Sequence, residues 1–442
     1  MAQDKQALTI PRFFNISLLA ILLAMPIWPF LSTWLGSFGG LLWLKSLPTL
    51  ALAALMVAGL IYLAVNRRDV LKTIFKSRLV QFIALFAVVV LVSVVLSAAG
   101  EGPKLAAVAM DLRYFLAFIM AYALVQLDKS FWQSVIGKLP KVAIAVGVVL
   151  SLVGLAQVAL LPPDFLAYFG YGADTIAPYI TIDQTNVLRA FATLRGPNDY
   201  AAFLILPLLF AVLRLFSSRK LIQVLPVLVV AAGILASSSR SAILAALIAL
   251  GVLAIVKVPK AIFKTKRFWA AAAVLLVMLA AGLALALNNP FLRLHLLHIR
   301  DGRDTATATS NSDHVDYAQD SVERIVRQPL GCGAGCSGPA SYYGDDAKVS
   351  ENYYLQITEE YGVVGLALWL TAVMLLASRL WRRRHDDIYL VWLAALSGYL
   401  FIGLLLHVFV DEPLTVVWFM IAGALVSLVA LKPTRKSVKI EP

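Results

Sequence analysis

Apolar side chains run along this chain in stretches close to 20 residues long, parted by short polar connections. A stretch of that length crosses the hydrocarbon core of a bilayer as a helix, because lipid tolerates only backbone that is hydrogen-bonded internally. Such stretches cover 13–35, 48–66, 79–99, 105–126, 140–162, 198–217, 220–236, 239–256, 268–288, 361–382, 387–408 and 413–431. They predict an all-α, polytopic membrane protein of about twelve transmembrane helices. The first stretch has span length and no small-residue cleavage site after it, so it is expected to stay as a helix and not to act as a removable signal.

Two connections are too long to be simple turns, 163–197 and 289–360. The second parts spans 9 and 10 and divides the chain into helices 1–9 (1–288), a large loop (289–360), and helices 10–12 with a basic tail (361–442). It carries helical signals of its own. Asn311 and Ser312 are N-cap candidates before Asp313 and Asp316. Asp320 precedes Arg324, and Glu323 precedes Arg327, at the i,i+4 spacing that stabilises a helix. Val315, Val322, Ile325 and Val326 supply an apolar face, and Pro329 and Gly331 end it. The Gly-rich stretch 331–344 then forms a turn region. A further helix is expected from Ser350, with Glu351, Tyr354, Leu355, Thr358, Gly362 and Gly365 on one face, running directly into span 10.

Composition agrees: 61% of residues are apolar and 14% charged, against about half and a quarter in a soluble domain. The formal charge of +13 changes the picture only through its placement. With both termini cytoplasmic, roughly two thirds of the Lys and Arg residues fall in cytoplasmic connections and tails, as the positive-inside rule requires. The charge therefore needs no nucleic-acid partner, and its remaining effect is attraction to membrane lipids. Both long connections then face outward. Cys332 and Cys336 lie in the outer Gly-rich turn. Their plainest role is as small turn residues; their spacing leaves a disulfide open in an oxidising compartment, and no His near them suggests a metal site.

Outer-side chemistry centres on arginine, whose planar, permanently charged fork suits phosphate. Arg189 and Arg195 stand just before span 6, and Arg240 sits in the short SSSRSA turn between spans 7 and 8. The loop adds Arg324, Arg327 and His314, with His295, His298, Arg300 and Arg303 upstream. Asp111 and Arg113, inside span 4, are expected to neutralise each other or pair with a neighbouring helix. Asp411 and Glu412 are expected to be solvated turn residues. Glu351 favours a helix start through the dipole, and its place beside cationic segments also makes it a candidate general base.

Three patterns in order resemble the O-antigen ligase and O-antigen polymerase superfamily of bacterial membrane glycosyltransferases. RAFATLRGPN (189–198) is similar to the family's Arg-x-x-Gly-Thr-x-x-x-Pro-Asn segment, with Ala192 where Gly is usual. SSSRSA (237–242) resembles its Ser-Arg-Gly segment. QPLGCGAG (328–335), followed by Asn352, Gly362 and Gly365, resembles its Pro-Leu-Gly-x-Gly and His-Asn-x9-Gly-x-x-Gly motifs, with Glu351 in place of the family's His. The resemblance covers about 185–385 and implies a GT-C-like fold in the cytoplasmic (inner) membrane with its active site on the outer face. It implies an undecaprenyl-diphosphate-linked glycan donor, a glycan or glycolipid acceptor, and inverting displacement at the anomeric carbon without a cofactor or metal. Arg189, Arg240 and Arg195 would hold the diphosphate, Glu351 would act as base with Asn352 orienting it or capping the helix, and Arg324, Arg327 and His314 would touch substrate. Ligase and polymerase remain alternatives. A polyprenyl-linked glycan flippase fits the helix count but predicts two related halves with broken helices, and a non-catalytic scaffold leaves the arginines without a role.

Overall fold

The computed structural model describes residues 2–258 apart from 39, 183–185 and 219, then 265, 281, 284, 288 and 289, then 305–430 apart from 346 and 349; the side chains of 2–9, 42 and 305–314 are not among those described. The expected span 268–288 (but for three single positions), the loop residues His295, His298, Arg300 and Arg303, the side chain of His314 and the basic tail past 430 therefore lie outside the described residues.

The described residues form helices joined by turns and irregular connections, with a single isolated bridge between Thr181 and Leu188. In chain order they form α1 (Ala2–Ala24), α2 (Trp28–Ser37), α3 (Leu47–Asn66), α4 (Arg68–Phe75), α5 (Arg78–Leu96), α6 (Glu101–Leu127), α7 (Lys129–Ala159), α8 (Pro197–Ser218), α9 (Val224–Ala236) and α10 (Arg240–Lys257). Then come α11 (Thr305–Arg327), α12 (Gly338–Ser341), α13 (Tyr353–Trp381), α14 (Asp387–Ile402) and α15 (Glu412–Ala430). Nine helical segments among the described residues are long and apolar enough to cross a membrane, and two shorter apolar helices, Leu221–Ala236 and Asp387–Ile402, add to them. Every predicted span except 268–288 thus corresponds to an apolar helix. The protein is an integral membrane protein of all-α class.

Helix starts follow their caps. Asp128 accepts a hydrogen bond from the Phe131 amide (3.0 Å) at the start of α7, and Asp386 accepts one from Ile388 (3.3 Å) at the start of α14. The bundle centre is α6 against α15, both largely buried. A side chain at Gly423 would meet the Phe118 carbonyl oxygen at 2.2 Å, so glycine there lets the two backbones touch, the close packing on which helices in lipid depend. The connection 163–197 lies on α2 through rings: Phe30 packs on Phe169 (5.2 Å between centroids) and Trp34 on the same ring (5.8 Å).

Two expectations for the large loop change. Its helix is already under way at Thr305, so Asn311 and Ser312 lie inside α11 and not at its start. The alternating Thr and Ala of 305–309 carry no breaker, and Ala supports helix strongly. Nor does one continuous face run from Glu351 to Gly365. Asn352 caps α13, and Gly362 breaks it with φ +69° and ψ −179°. The 329–335 turn fills that break. Val363 donates to the Pro329 carbonyl (3.1 Å), while Cys332 and Gly333 donate to the carbonyls of Glu359 (2.8 Å) and Glu360 (3.0 Å). Gly335 donates to the Glu360 carboxylate (2.9 Å), and Ser97 of the α5 end donates to Ala334 O (2.8 Å). Cys332 and Cys336 form a disulfide within the same turn.

A side chain at Gly362 would both occupy left-handed backbone and meet the Leu330 carbonyl carbon at 2.6 Å. Gly362→Ala is expected to cost about 2 kcal/mol or more, read as a lower midpoint of thermal unfolding in detergent. Gly137→Ala, on α7 with nothing within 4 Å, serves as the control and should be neutral or slightly stabilising. Equal midpoints for the two variants would refute the account of the break.

Candidate functional site

The start of α13 is clamped at one end of the bundle. Asn352 Oδ1 accepts hydrogen bonds from the amides of Tyr354 (2.9 Å) and Leu355 (3.1 Å), while its Nδ2 donates to the Leu404 carbonyl (3.0 Å). Tyr353 donates from its backbone to Gly403 O (2.9 Å), and the Tyr354 hydroxyl donates to Leu400 O (2.7 Å). His407 Nε2 hydrogen-bonds the Ser350 carbonyl. Glu351 lies between these clamps, half-buried, on the wall of a cavity of about 600 Å³ formed by α11, Asn352 and the Leu404–Leu405 turn. Asn352 is therefore both cap and strut.

Beneath Glu351 the helix is anchored by a buried polar chain. The Tyr361 hydroxyl donates to Asp111 Oδ2 (2.6 Å) and that of Tyr353 to Oδ1 (3.4 Å). The hydroxyls of Tyr353 and Tyr114 are 3.0 Å apart, and Trp369 Nε1 donates to Tyr114 (2.9 Å). Asp111 thus pairs with a neighbouring helix and not with Arg113. Arg113 donates to the Val410 carbonyl and lies 3.8 Å from Glu412.

The arginines have distinct surroundings. Arg189 Nε donates to Ser237 O (2.8 Å) and its Nη2 to Asn198 (3.0 Å), tying the 189–198 segment to the SSSRSA turn. In that segment Ala192 takes φ +50°, with its amide and that of Phe191 both donating to Gln157 Oε1. Left-handed backbone explains why glycine is usual there, and alanine holds it at a cost of about 1 kcal/mol. Arg240 opens α10 after a buried serine turn in which Ser237 Oγ accepts from the Ser239 amide (3.1 Å). It pairs with no carboxylate among the described residues.

Arg195 is bound to Glu412 (3.2 Å), whose other oxygen accepts from Thr49 (2.6 Å) and faces Arg113. Asp411 and Glu412 are not solvated turn residues: they are 6% and 2% exposed. The α15 start sinks between α6 and the 195 segment, where Arg113 and Arg195 compensate Glu412. Burial, with Asp199 close by, holds the Asp411 carboxyl well above the usual carboxylate range. Arg324 is bidentate on Glu359 of α13 (3.1 and 3.2 Å), docking the loop helix onto the span, and Arg327 pairs with Glu323 on the surface.

No sequence motif marks Glu412, Asp199 or His407 as parts of this end of the molecule. The available signal was position: acids and a histidine at the ends of apolar spans, where an unpaired charge is costly. Arg195, Glu412 and Arg113 also stand at the polar end of a second cavity, about 760 Å³, whose walls are mostly apolar residues of α3 and α6.

Glu412→Gln leaves Arg113, only 6% exposed, without its compensating charge. It is expected to cost about 3 kcal/mol, measured by thermal unfolding in detergent; an unchanged midpoint would show that the pair is energetically idle. His407 supplies a pH test. Burial lowers it to about 4 from its ordinary 6.5, partly opposed by the Glu351 carboxylate. A lowered value means that the unfolded chain binds the proton first. Its contribution to stability is therefore complete above pH 6.5 and is lost as pH falls towards 4. His407→Gln should flatten that part of the stability profile, and a slope identical to the native protein's would exclude His407 as its source.

No curated protein matches the chain. Residues 225–370 match a family model described as O-Antigen ligase. The matched interval opens in α9, takes in the Arg240 turn, the helix break with its glycine-rich filler and the Glu351–Asn352 clamp, and ends in α13. Over that interval, about a third of its length, the chain is similar to the O-antigen ligase family.

Proposed function

We propose that this protein moves a glycan from an undecaprenyl-diphosphate carrier to a sugar acceptor on the outer face of the cytoplasmic membrane. The observation that carries this reading is the largely apolar cavity of about 760 Å³ whose polar end holds Lys45, Arg113 and Arg195 together with the acids Asp174 and Glu412. An apolar trough with guanidinium groups at its end suits a lipid-anchored anion that takes the place of the Glu412 carboxylate, and it opens at the same end of the bundle as Arg240 and Glu351. The Cys332–Cys336 disulfide in the adjoining turn supports an oxidising, outward-facing compartment.

In this reading an acceptor hydroxyl attacks the anomeric carbon, its proton passes to the Glu351 carboxylate, and the bond from that carbon to the diphosphate oxygen breaks with inversion. The leaving diphosphate takes the electron pair, and guanidinium groups stabilise the charge. Arg240 is the principal diphosphate ligand, being without an acidic partner among the described residues. Arg189 acts through the turn it braces. Arg195 reaches the ligand in exchange for Glu412.

The test is transfer of labelled lipid-linked glycan to crude envelope acceptors by the purified protein, with EDTA present. Glu351→Gln should lower turnover by about 10²–10⁴ while donor binding persists. Arg240→Ala should lower it by about 10² or more and weaken donor retention. Full activity in Glu351→Gln would remove Glu351 as base. Carrier crossing the bilayer with no transfer to any acceptor would replace this reading with that of a flippase.

A further inference from the structure

At the opposite end of the bundle, where α13 and α15 finish, a cavity of about 300 Å³ opens beside the short amphipathic helix α4. Three cations line it: Lys76 after α4, and Arg379 and Arg382 at the end of α13. Thr73, Ser77 and Tyr122 supply polar lining, and the last turns of α15 supply an apolar wall through Val426, Val429 and Ala430. No carboxylate lines it among the described residues.

Topology alone puts basic residues at one end of a membrane bundle, but it does not gather three of them on one concavity without a counter-charge. Three other cations at this end are engaged. Arg67 pairs with Asp69 (3.2 Å), Lys257 pairs with Asp387, and Arg384 lies over the Trp381 ring (4.5 Å). Lys76, Arg379 and Arg382 pair with no carboxylate among the described residues. Arg379 is also half-buried and held in place by donating to the Ser77 hydroxyl (3.0 Å). Three cations around one hollow, one of them half-buried, offer an anion a ready place.

We propose that this cavity is a binding site for a phosphate group, distinct from the Arg240 and Glu351 end. The apolar wall and the site's place where spans end match the headgroup of an anionic phospholipid, whose acyl chains would lie along α15; a free phosphate shares the same chemistry. An anchored headgroup here would tie α4 to the ends of α13 and α15.

The full-length protein in detergent would be titrated with phosphatidylglycerol, with phosphatidylcholine of the same chains, and with inorganic phosphate, and bound species counted by native mass spectrometry. Lys76 and Arg382 are exposed, so the double variant Lys76→Gln/Arg382→Gln is expected to fold normally. It should weaken phosphatidylglycerol binding by roughly twenty-fold. Arg68→Gln/Lys129→Gln, at the same end but outside the cavity, should leave it within about two-fold, since attraction falls off over a Debye length. Binding of inorganic phosphate that the cavity variant alone abolishes would support the site with a soluble ligand. Equal loss in both double variants, or equal affinity for the two lipids, would overturn the proposal.

Discussion

A backbone amide or carbonyl in a membrane protein has no water to fall back on, and the break in α13 is where this constraint shapes the molecule most. Gly362 leaves the helical path and exposes the carbonyls of Glu359 and Glu360 and the amide of Val363. The 329–335 turn satisfies all three, using glycines at positive φ to come within touching distance. The loop is thereby fastened to the span. Its disulfide, its contact with α5 and the Arg324–Glu359 pair all reinforce the one junction. The orientation of α13, and with it the place of Glu351, depends on that seal.

Charge satisfaction organises the rest of this end. Glu412 joins α15 to α6 through Arg113, to the 189–198 segment through Arg195 and to α3 through Thr49. A carboxylate so deeply buried persists only with such partners, and removing one leaves another stranded. The same logic sorts the arginines. Arg189 and Arg324 are chiefly braces, Arg195 is balanced by an acid, and Arg240 stands at a helix N-terminus after a buried serine turn. A phosphate-bearing ligand would find both the positive end of a helix and a guanidinium there.

Much of the fold was legible in the chain because the bilayer imposes a one-dimensional rule. A run of about twenty apolar residues has only one way to cross lipid, so helix identity and order follow from composition along the sequence. Family motifs carried Arg240, Asn352 and Gly362 as well. Ala192 was visible as a departure from glycine, though only its φ of +50° gives the reason.

What the sequence could not decide was which polar groups meet across the bundle. Asp111 and Arg113 are two residues apart on α6, yet one faces the tyrosines of α13 and the other faces Glu412. Asp411 and Glu412 have the local composition of a solvated turn, and only the seating of α15 beneath the 195 segment buries them. His407 lies 56 residues from Glu351 in sequence, and they become neighbours because α14 returns the chain to the start of α13. The sequence by itself thus determined the helices, their order and the family's chemical vocabulary, since each depends on local hydrophobicity or short motifs. Tertiary structure alone decided which charges meet a carboxylate and which, among the described residues, do not, because pairing energies in a low-dielectric interior depend on distances that no linear pattern encodes.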